Sequence, residues 1–375
     1  MTIPRPDFPT AWPEIIRRVR SIDPVAYAYS RNHTDGSVTY LSPYLSRGVI
    51  STRLVLDSLI GRGFTFDACE QLVKELAWRD HFQRVWQERD VSADLRPTGP
   101  SFGRTGGVPA ALLTASTGIA AVDEAIRVLE ETGYMHNHCR MYVAAISCHA
   151  ASCHWLEPAR WMYHHLIDGD WASNACSWQW VAGTGSSKPW VADQQNINRF
   201  TGSHQSGTFL DIPYERLLSS AVPESLNQVV VPQFTTSLPV HPDPLIDPSK
   251  PVHVYDYYNL DPEWRNSAPA NRILLLDPEV FKRYPVGPRA IGFMLGLARH
   301  IPGLVMFTGS FDDLKKAAGG AVIRYKEHPL NRHYCGEMDQ RDWMVPGVSG
   351  YFSSFSGYWR HIGPILRSQF RSGKT

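Results

Sequence analysis

Between Asp168 and Gly185 the chain reads Asp168-Gly-Asp170-Trp-Ala-Ser-Asn174-Ala-Cys-Ser-Trp178-Gln-Trp180-Val-Ala-Gly-Thr-Gly185, two carboxylates, an amide and closely spaced indoles ending in glycines. Asp168 and Asp170 can hold a cation or accept from a ring N–H, and Asn174 can offer its amide to a ring nitrogen. The indoles can stack, shield or pass electrons. Those are the demands of a redox cofactor, and the run reads as one wall of a flavin pocket.

Four upstream runs carry related chemistry: Tyr27-Ala-Tyr-Ser-Arg31; Thr39-Tyr-Leu41-Ser42-Pro43-Tyr44-Leu45-Ser-Arg-Gly48-Val-Ile-Ser51; Glu75-Leu-Ala-Trp78-Arg79-Asp80; and Gly133-Tyr-Met-His136-Asn137-His138-Cys139-Arg140-Met141. Taken in order with the Asp168 run, over roughly residues 25–190, they resemble the flavin domain of the photolyase/cryptochrome family. The pattern of that family is a DGD, an Asn four residues after its second Asp, then WQW and a Gly-rich turn.

The resemblance implies FAD as cofactor. It implies that Tyr27, Thr39, Leu41 and Ser42 bind its phosphates and nearby sugar, and that Arg79 contacts the flavin. Arg140 and Asp168 match an ion pair beside the isoalloxazine ring, Asp170 belongs to the same wall, and Asn174 faces the redox-active ring nitrogen. Thr39 and Ser42 precede Pro43, which suits a loop entering a helix, where exposed N–H groups favour an anion. Trp178 and Trp155 match the proximal and middle members of an electron-transfer chain, and with Asn174 they are the catalytic candidates. The distal position falls at Phe102, a poor hole carrier, so a substitute such as Trp161, Trp86 or a tyrosine is expected.

On the substrate side, Glu75, Trp78, Asn137, Met141 and Trp180 match the five residues that line the pocket of enzymes acting on cyclobutane pyrimidine dimers, where the lesion is flipped out of the duplex. Enzymes for the (6-4) lesion place histidines at the positions of Asn137 and Met141, so that specificity is disfavoured. The implied activity is light-dependent dimer splitting in DNA by electron transfer from excited, fully reduced FAD, a deoxyribodipyrimidine photolyase-like lyase reaction. It requires no nucleophile or general base. The alternative is a cryptochrome-like blue-light photoreceptor or redox protein without repair activity, its C-terminal unit relaying the flavin state to a protein partner. Ala192 stands where an arginine touching DNA phosphate is expected. With 26 residues before Tyr27, the N-terminal α/β antenna domain usual in the family is expected to be absent.

These residues must be positioned by the elements around them. Apolar residues at three- and four-residue spacing predict helices over 10–21, 48–61, 67–89, 119–132, 135–153 and 158–167. Asp67 is a candidate cap for the helix carrying Glu75, Trp78 and Arg79, which share one face at i, i+3 and i+4. Prolines at 223, 232, 239, 242, 244, 248, 251, 262 and 269 forbid long helices in between. Beyond them, strands are predicted over 272–277, 303–308 and 321–325, alternating with helices over 289–300 and 312–318.

The expected fold is therefore mainly α: an all-helical photolyase/cryptochrome-type FAD-binding domain over residues 1–221, a Pro-rich linker or wrapping segment over 222–270, and a small C-terminal α/β domain of unknown role over 271–375. A chain of 375 residues can bury a substantial core. Its net charge of +1 gives no global basic field, so DNA contact would depend on local clustering. The six cysteines form no CxxC pair, and neither a disulfide framework nor an iron–sulfur cluster is expected. His136 and His138 read as packing or hydrogen-bonding groups, and no metal site is expected. No apolar run is long enough for a bilayer, and the cytoplasm is the expected location.

Overall fold

A computed structural model describes residues 3–96 and 105–372. Phe102, the position read as the distal electron carrier, lies outside the described residues. The chain divides into two compact units, each discontinuous in sequence: Met1–Asp7, Val25–Val38 and Glu88–Phe234 form one, and Phe8–Pro24, Thr39–Gln87 and Thr235–Thr375 form the other.

The first unit is helical. Its main helices are Ala120–Thr132, Asn137–Ala145, Leu156–His165, Trp171–Ala182 and Gln194–Thr201. The helix Asn137–Ala145 runs on into a π turn at Ile146–Ala150, and together they fill most of the predicted 135–153 helix. Strands β1 (Val108–Pro109) and β2 (Val229–Val230) pair antiparallel. Gly183, at φ 83°, ends the helix Trp171–Ala182 in the left-handed conformation that favours glycine.

The second unit combines helices Trp12–Arg20, Thr52–Gly61 and Phe66–Glu88 with a parallel sheet; Glu88, at the end of the last helix, is assigned to the first unit. The sheet has strands β3 (Val252–Tyr255), β4 (Asn271–Leu276), β5 (Leu304–Thr308), β6 (Ile323–Lys326) and β7 (Glu337–Asp339), in the order β5-β4-β3-β6-β7. The register pairs Val254 with Ile273 and Tyr325. One face buries Val252, Val254, Ile273, Leu275 and Phe307 against Phe311 and Leu314 of the helix Phe311–Ala317. A helix laid over a sheet face in this way is usual for parallel sheets.

The grouping differs from the boundaries read from the sequence. The central strand β3 lies within 222–270, the segment read as a linker, because four residues behind Pro251 give too short a pattern to stand out among prolines. Nor is the sheet a separate body: Asp80 accepts from the Met344 amide at 2.9 Å, Arg84 donates to Val348 O at 2.7 Å, and Leu260 N donates to Arg47 O at 2.9 Å. A third difference is the C-terminal helix Phe355–Ser372, which the Gly and Pro residues inside it conceal from a propensity reading. At the helix Phe66–Glu88 the expected cap is also replaced. Thr65 Oγ1 accepts from Ala68 N at 3.3 Å, while Asp67 sits in the first turn and pairs with Arg367 at 2.9 Å.

Candidate functional site

In the first unit the Asp168 run builds its own scaffold. Asp170 is the N-cap of the helix Trp171–Ala182, its carboxylate accepting from Ser173 N at 2.8 Å. That cap starts the helix that carries Asn174, Trp178 and Trp180. Asp168, just before it and buried, accepts from Arg140 Nη2 at 2.7 Å, and Arg140 Nε also donates to Met135 O at 2.8 Å. The expected ion pair is present, with the guanidinium held between a carboxylate and a carbonyl. Asn174 is buried and donates its amide to Ala159 O at 2.9 Å, which fixes its orientation. Trp178 and Trp155 are buried as well, the latter at the N-terminal boundary of Leu156–His165.

The helix Asn137–Ala145 buries His138, Cys139 and Tyr142 but leaves Asn137, Arg140 and Met141 partly or fully exposed, at i, i+3 and i+4. One open stripe therefore carries an amide, a guanidinium and a thioether. Trp180 is 38% exposed and stacks on Trp190 with ring centroids 6.4 Å apart. His136 caps the helix through Nδ1, 3.2 Å from His138 N. Burial above all, then neighbouring positive groups, pushes His136 down to about 4. Burial does the same to His138, also at about 4, against the raising effect of a hydrogen bond with Asn196. Both are neutral at physiological pH. Tyr27 lies in the short helix Pro24–Ser30, with the Arg31 guanidinium 5.8 Å from its ring centroid.

The second unit holds Thr39, Leu41, Ser42, Glu75, Trp78 and Arg79. Thr39 Oγ1 accepts from Leu41 N at 3.4 Å, and Tyr40 between them takes φ 52°, an uncommon conformation for a residue with a side chain. The helix after it, Ser42–Ser46, has only five residues. Its dipole is correspondingly small, so phosphate binding at this loop would fall to its hydroxyls and individual N–H groups rather than to a helix end. Arg79 braces that helix from below, donating to Leu45 O at 3.1 Å and Ser46 Oγ at 3.4 Å.

On the helix Phe66–Glu88, Glu75, Trp78 and Arg79 are half-buried, flanked by the fully buried Leu76 and Ala77. Glu75 accepts from Gln71 Nε2 at 2.9 Å. Trp78 meets Phe355, the first residue of the C-terminal helix, in a parallel stack with centroids 3.8 Å apart and planes 10° from parallel. One indole face is covered by the protein itself.

Residues 72–208, which include both stripes and the Asp168 run, match the family described as the FAD binding domain of DNA photolyase. The matched part of the chain belongs to the photolyase/cryptochrome family. It is a photolyase-type FAD-binding domain, and FAD is its cofactor. Among similar proteins, a deoxyribodipyrimidine photo-lyase of Streptomyces griseus is 35% identical over 163 residues, 42% of this chain and 35% of that one. One from Vibrio cholerae is 31% identical over 192 residues, 48% and 41% of the two chains, and one from Thermus thermophilus 33% over 165 residues, 42% and 39%. The match thus spans 35–41% of the length of these photolyases.

The donor set suits this cofactor. In the first unit, Arg140 is a cation fixed by a backbone carbonyl, suited to an anionic ring, and Asn174 is an immobilised amide; in the second unit, Arg79 is likewise a cation held by a carbonyl. Two further residues, Gln179 and Asp94, brace this part of the first unit. Gln179, fully buried between Trp178 and Trp180, accepts from Leu95 N at 2.8 Å and donates to Val91 O and Ala93 O at 3.0 and 3.2 Å. That clamp presents Asp94 to Trp155, whose Nε1 donates to Asp94 Oδ1 at 2.6 Å. Of the proposed substitutes for a distal carrier, Trp161 is buried beside His165, while Trp86 lies in the second unit against Tyr258, Tyr284 and His328.

Proposed function

We propose that this protein is a light-dependent DNA repair flavoprotein that splits cyclobutane pyrimidine dimers by electron transfer from excited, reduced FAD. The observation that supports it is the pair of half-open stripes on partly buried helices, Glu75/Trp78/Arg79 in one unit and Asn137/Arg140/Met141 in the other.

When bound, FAD supplies light absorption and the transferable electron. Arg140, held by Asp168, would favour negative charge on the ring, and Asn174 would face its redox-active nitrogen. Asp170 keeps the helix bearing Asn174 in place as its cap. Tyr27, Thr39, Leu41 and Ser42 would hold the phosphates and sugar, and Arg79 would contact the flavin. Glu75 and Asn137 would hydrogen-bond base edges, Trp78 and Trp180 would stack on the bases, and Met141 would fill the remaining apolar contact. Trp178 and Trp155 would re-reduce oxidised flavin.

The second reading, a cryptochrome-like photoreceptor or redox protein with a protein partner, is favoured by one contact. Phe355 covers the Trp78 face on which a base would stack. The test is to reduce the bound flavin chemically, add an oligonucleotide with one cyclobutane thymine dimer, and follow recovery of thymine absorbance under blue light against a dark control. Repair is expected, and Trp180→Ala and Glu75→Ala should weaken or abolish it while keeping flavin. No recovery with FAD bound would sink the repair reading in favour of the photoreceptor.

A further inference from the structure

We infer that Asp94 is the proton acceptor for oxidised Trp155, so that the electron hole settles on a buried indole as a neutral radical. The inference rests on the reading of Trp155 as an electron donor toward FAD. Trp155 has no exposed surface, and its Nε1 lies 2.6 Å from Asp94 Oδ1, the length of a charge-assisted bond. The Asp94 side chain is 20% exposed, and His154 Nε2 stands 3.3 Å from the same oxygen. Gln179 and Ser92 hold the loop in place, Ser92 Oγ accepting from Trp171 Nε1 at 3.1 Å. Trp171 thus meets a hydroxyl, whereas Trp155 meets a carboxylate.

An indole N–H is not acidic until the ring loses an electron, and then it is strongly so. A radical cation in a dry interior is poorly solvated, and a carboxylate in contact offsets that cost. Proton transfer along a bond already this short needs no movement of heavy atoms. One electron leaves the Trp155 π system, by way of Trp178, for a photoexcited oxidised flavin, which is reduced by that electron. The Nε1–H bond breaks with its electron pair remaining on nitrogen, and the proton forms an O–H bond on Asp94. A neutral indolyl radical and a neutral carboxylic acid result. The positive charge that would pull the electron back is gone from the indole, and the partly exposed Asp94 can release its proton to water.

An acceptor that merely satisfied the buried indole N–H would behave identically as an amide, and Asp94→Asn separates the two roles. Asparagine keeps an acceptor oxygen but cannot take the proton. FAD-loaded wild type, Asp94→Asn and Trp155→Phe are flashed with the flavin oxidised, in H2O and D2O, and the radical is identified by its visible spectrum and electron paramagnetic resonance. Wild type is expected to give the deprotonated tryptophanyl radical with a solvent isotope effect. Asp94→Asn should give the cation without that effect, recombining roughly tenfold faster, which corresponds to about 1.4 kcal/mol. A deprotonated radical of unchanged lifetime in Asp94→Asn, or an unchanged signal in Trp155→Phe, overturns the proposal. Dimer repair with chemically reduced flavin bypasses this chain. Intact radical chemistry without repair would therefore count against the repair reading alone, and repair without these radical signals against Asp94 alone.

Discussion

Replacing Asp168 by alanine would leave Arg140 facing the flavin wall without the carboxylate that holds its Nη2 at 2.7 Å. Removing one partner of a buried ion pair costs about 3–5 kcal/mol. The Asp168 side chain is 1% exposed but that of Arg140 is 23% exposed. Water can therefore reach the stranded guanidinium, and Met135 O still holds its Nε. The lower end, about 3 kcal/mol, is the expected loss. Whatever share of it falls on the flavin-bound state raises the FAD Kd. One third of it would mean roughly 5-fold and all of it roughly 150-fold. Asp168→Asn retains an acceptor without the charge and should lose about 1–2 kcal/mol. FAD titration into flavin-free protein, beside urea unfolding midpoints, would rank alanine below asparagine below wild type in both measurements. Wild-type FAD affinity in both variants would refute the reasoning, and lowered midpoints alongside it would reduce the pair to a structural one.

Phe355→Ala should uncover Trp78 and raise its fluorescence quenching by acrylamide. If Phe355 competes with a base for that face, an aromatic pair worth about 0.5–1.5 kcal/mol is released and affinity for dimer-containing DNA improves roughly 2- to 12-fold; unchanged affinity would place Phe355 outside the path of the DNA. For His136 and His138, both held at about 4 in the fold, the unfolded chain binds the extra protons as pH falls below about 6.5. Their contribution is full above that pH and declines toward pH 4, by up to about 1.4 kcal/mol per pH unit for each group. Urea midpoints across this window should fall less steeply in His138→Gln, and an equal slope would show that His138 does not titrate there. Gly48 has φ 62°, and a Cβ on it would lie 2.2 Å from Tyr258 O. Gly48→Ala should therefore cost about 2 kcal/mol or more, read as a lowered thermal midpoint, with an unchanged midpoint contradicting the close approach.

Legibility tracked locality. The helices carrying Glu75 and Asn137 were readable because their i, i+3, i+4 pattern is set by a dozen neighbouring residues. The Arg140–Asp168 pair was readable only through the resemblance, since 28 residues separate its partners. The role of Gln179 was hidden in plain view between two tryptophans, as its three bonds go to residues 84–88 positions away. Asp94 had no motif around it to mark it.

By itself the sequence determined the helical character of the flavin domain, the order of its motifs and the chemistry of each side chain, because these depend on composition and short-range periodicity. It also carried three of the sheet strands as apolar runs between turn residues. Only the tertiary structure decided that β3 sits at the centre of the sheet, that Phe355 lies on Trp78, and that a carboxylate waits at the Trp155 N–H. Each is a contact between distant segments, selected by packing and the satisfaction of buried polar groups over the whole chain, and no local window contains that information.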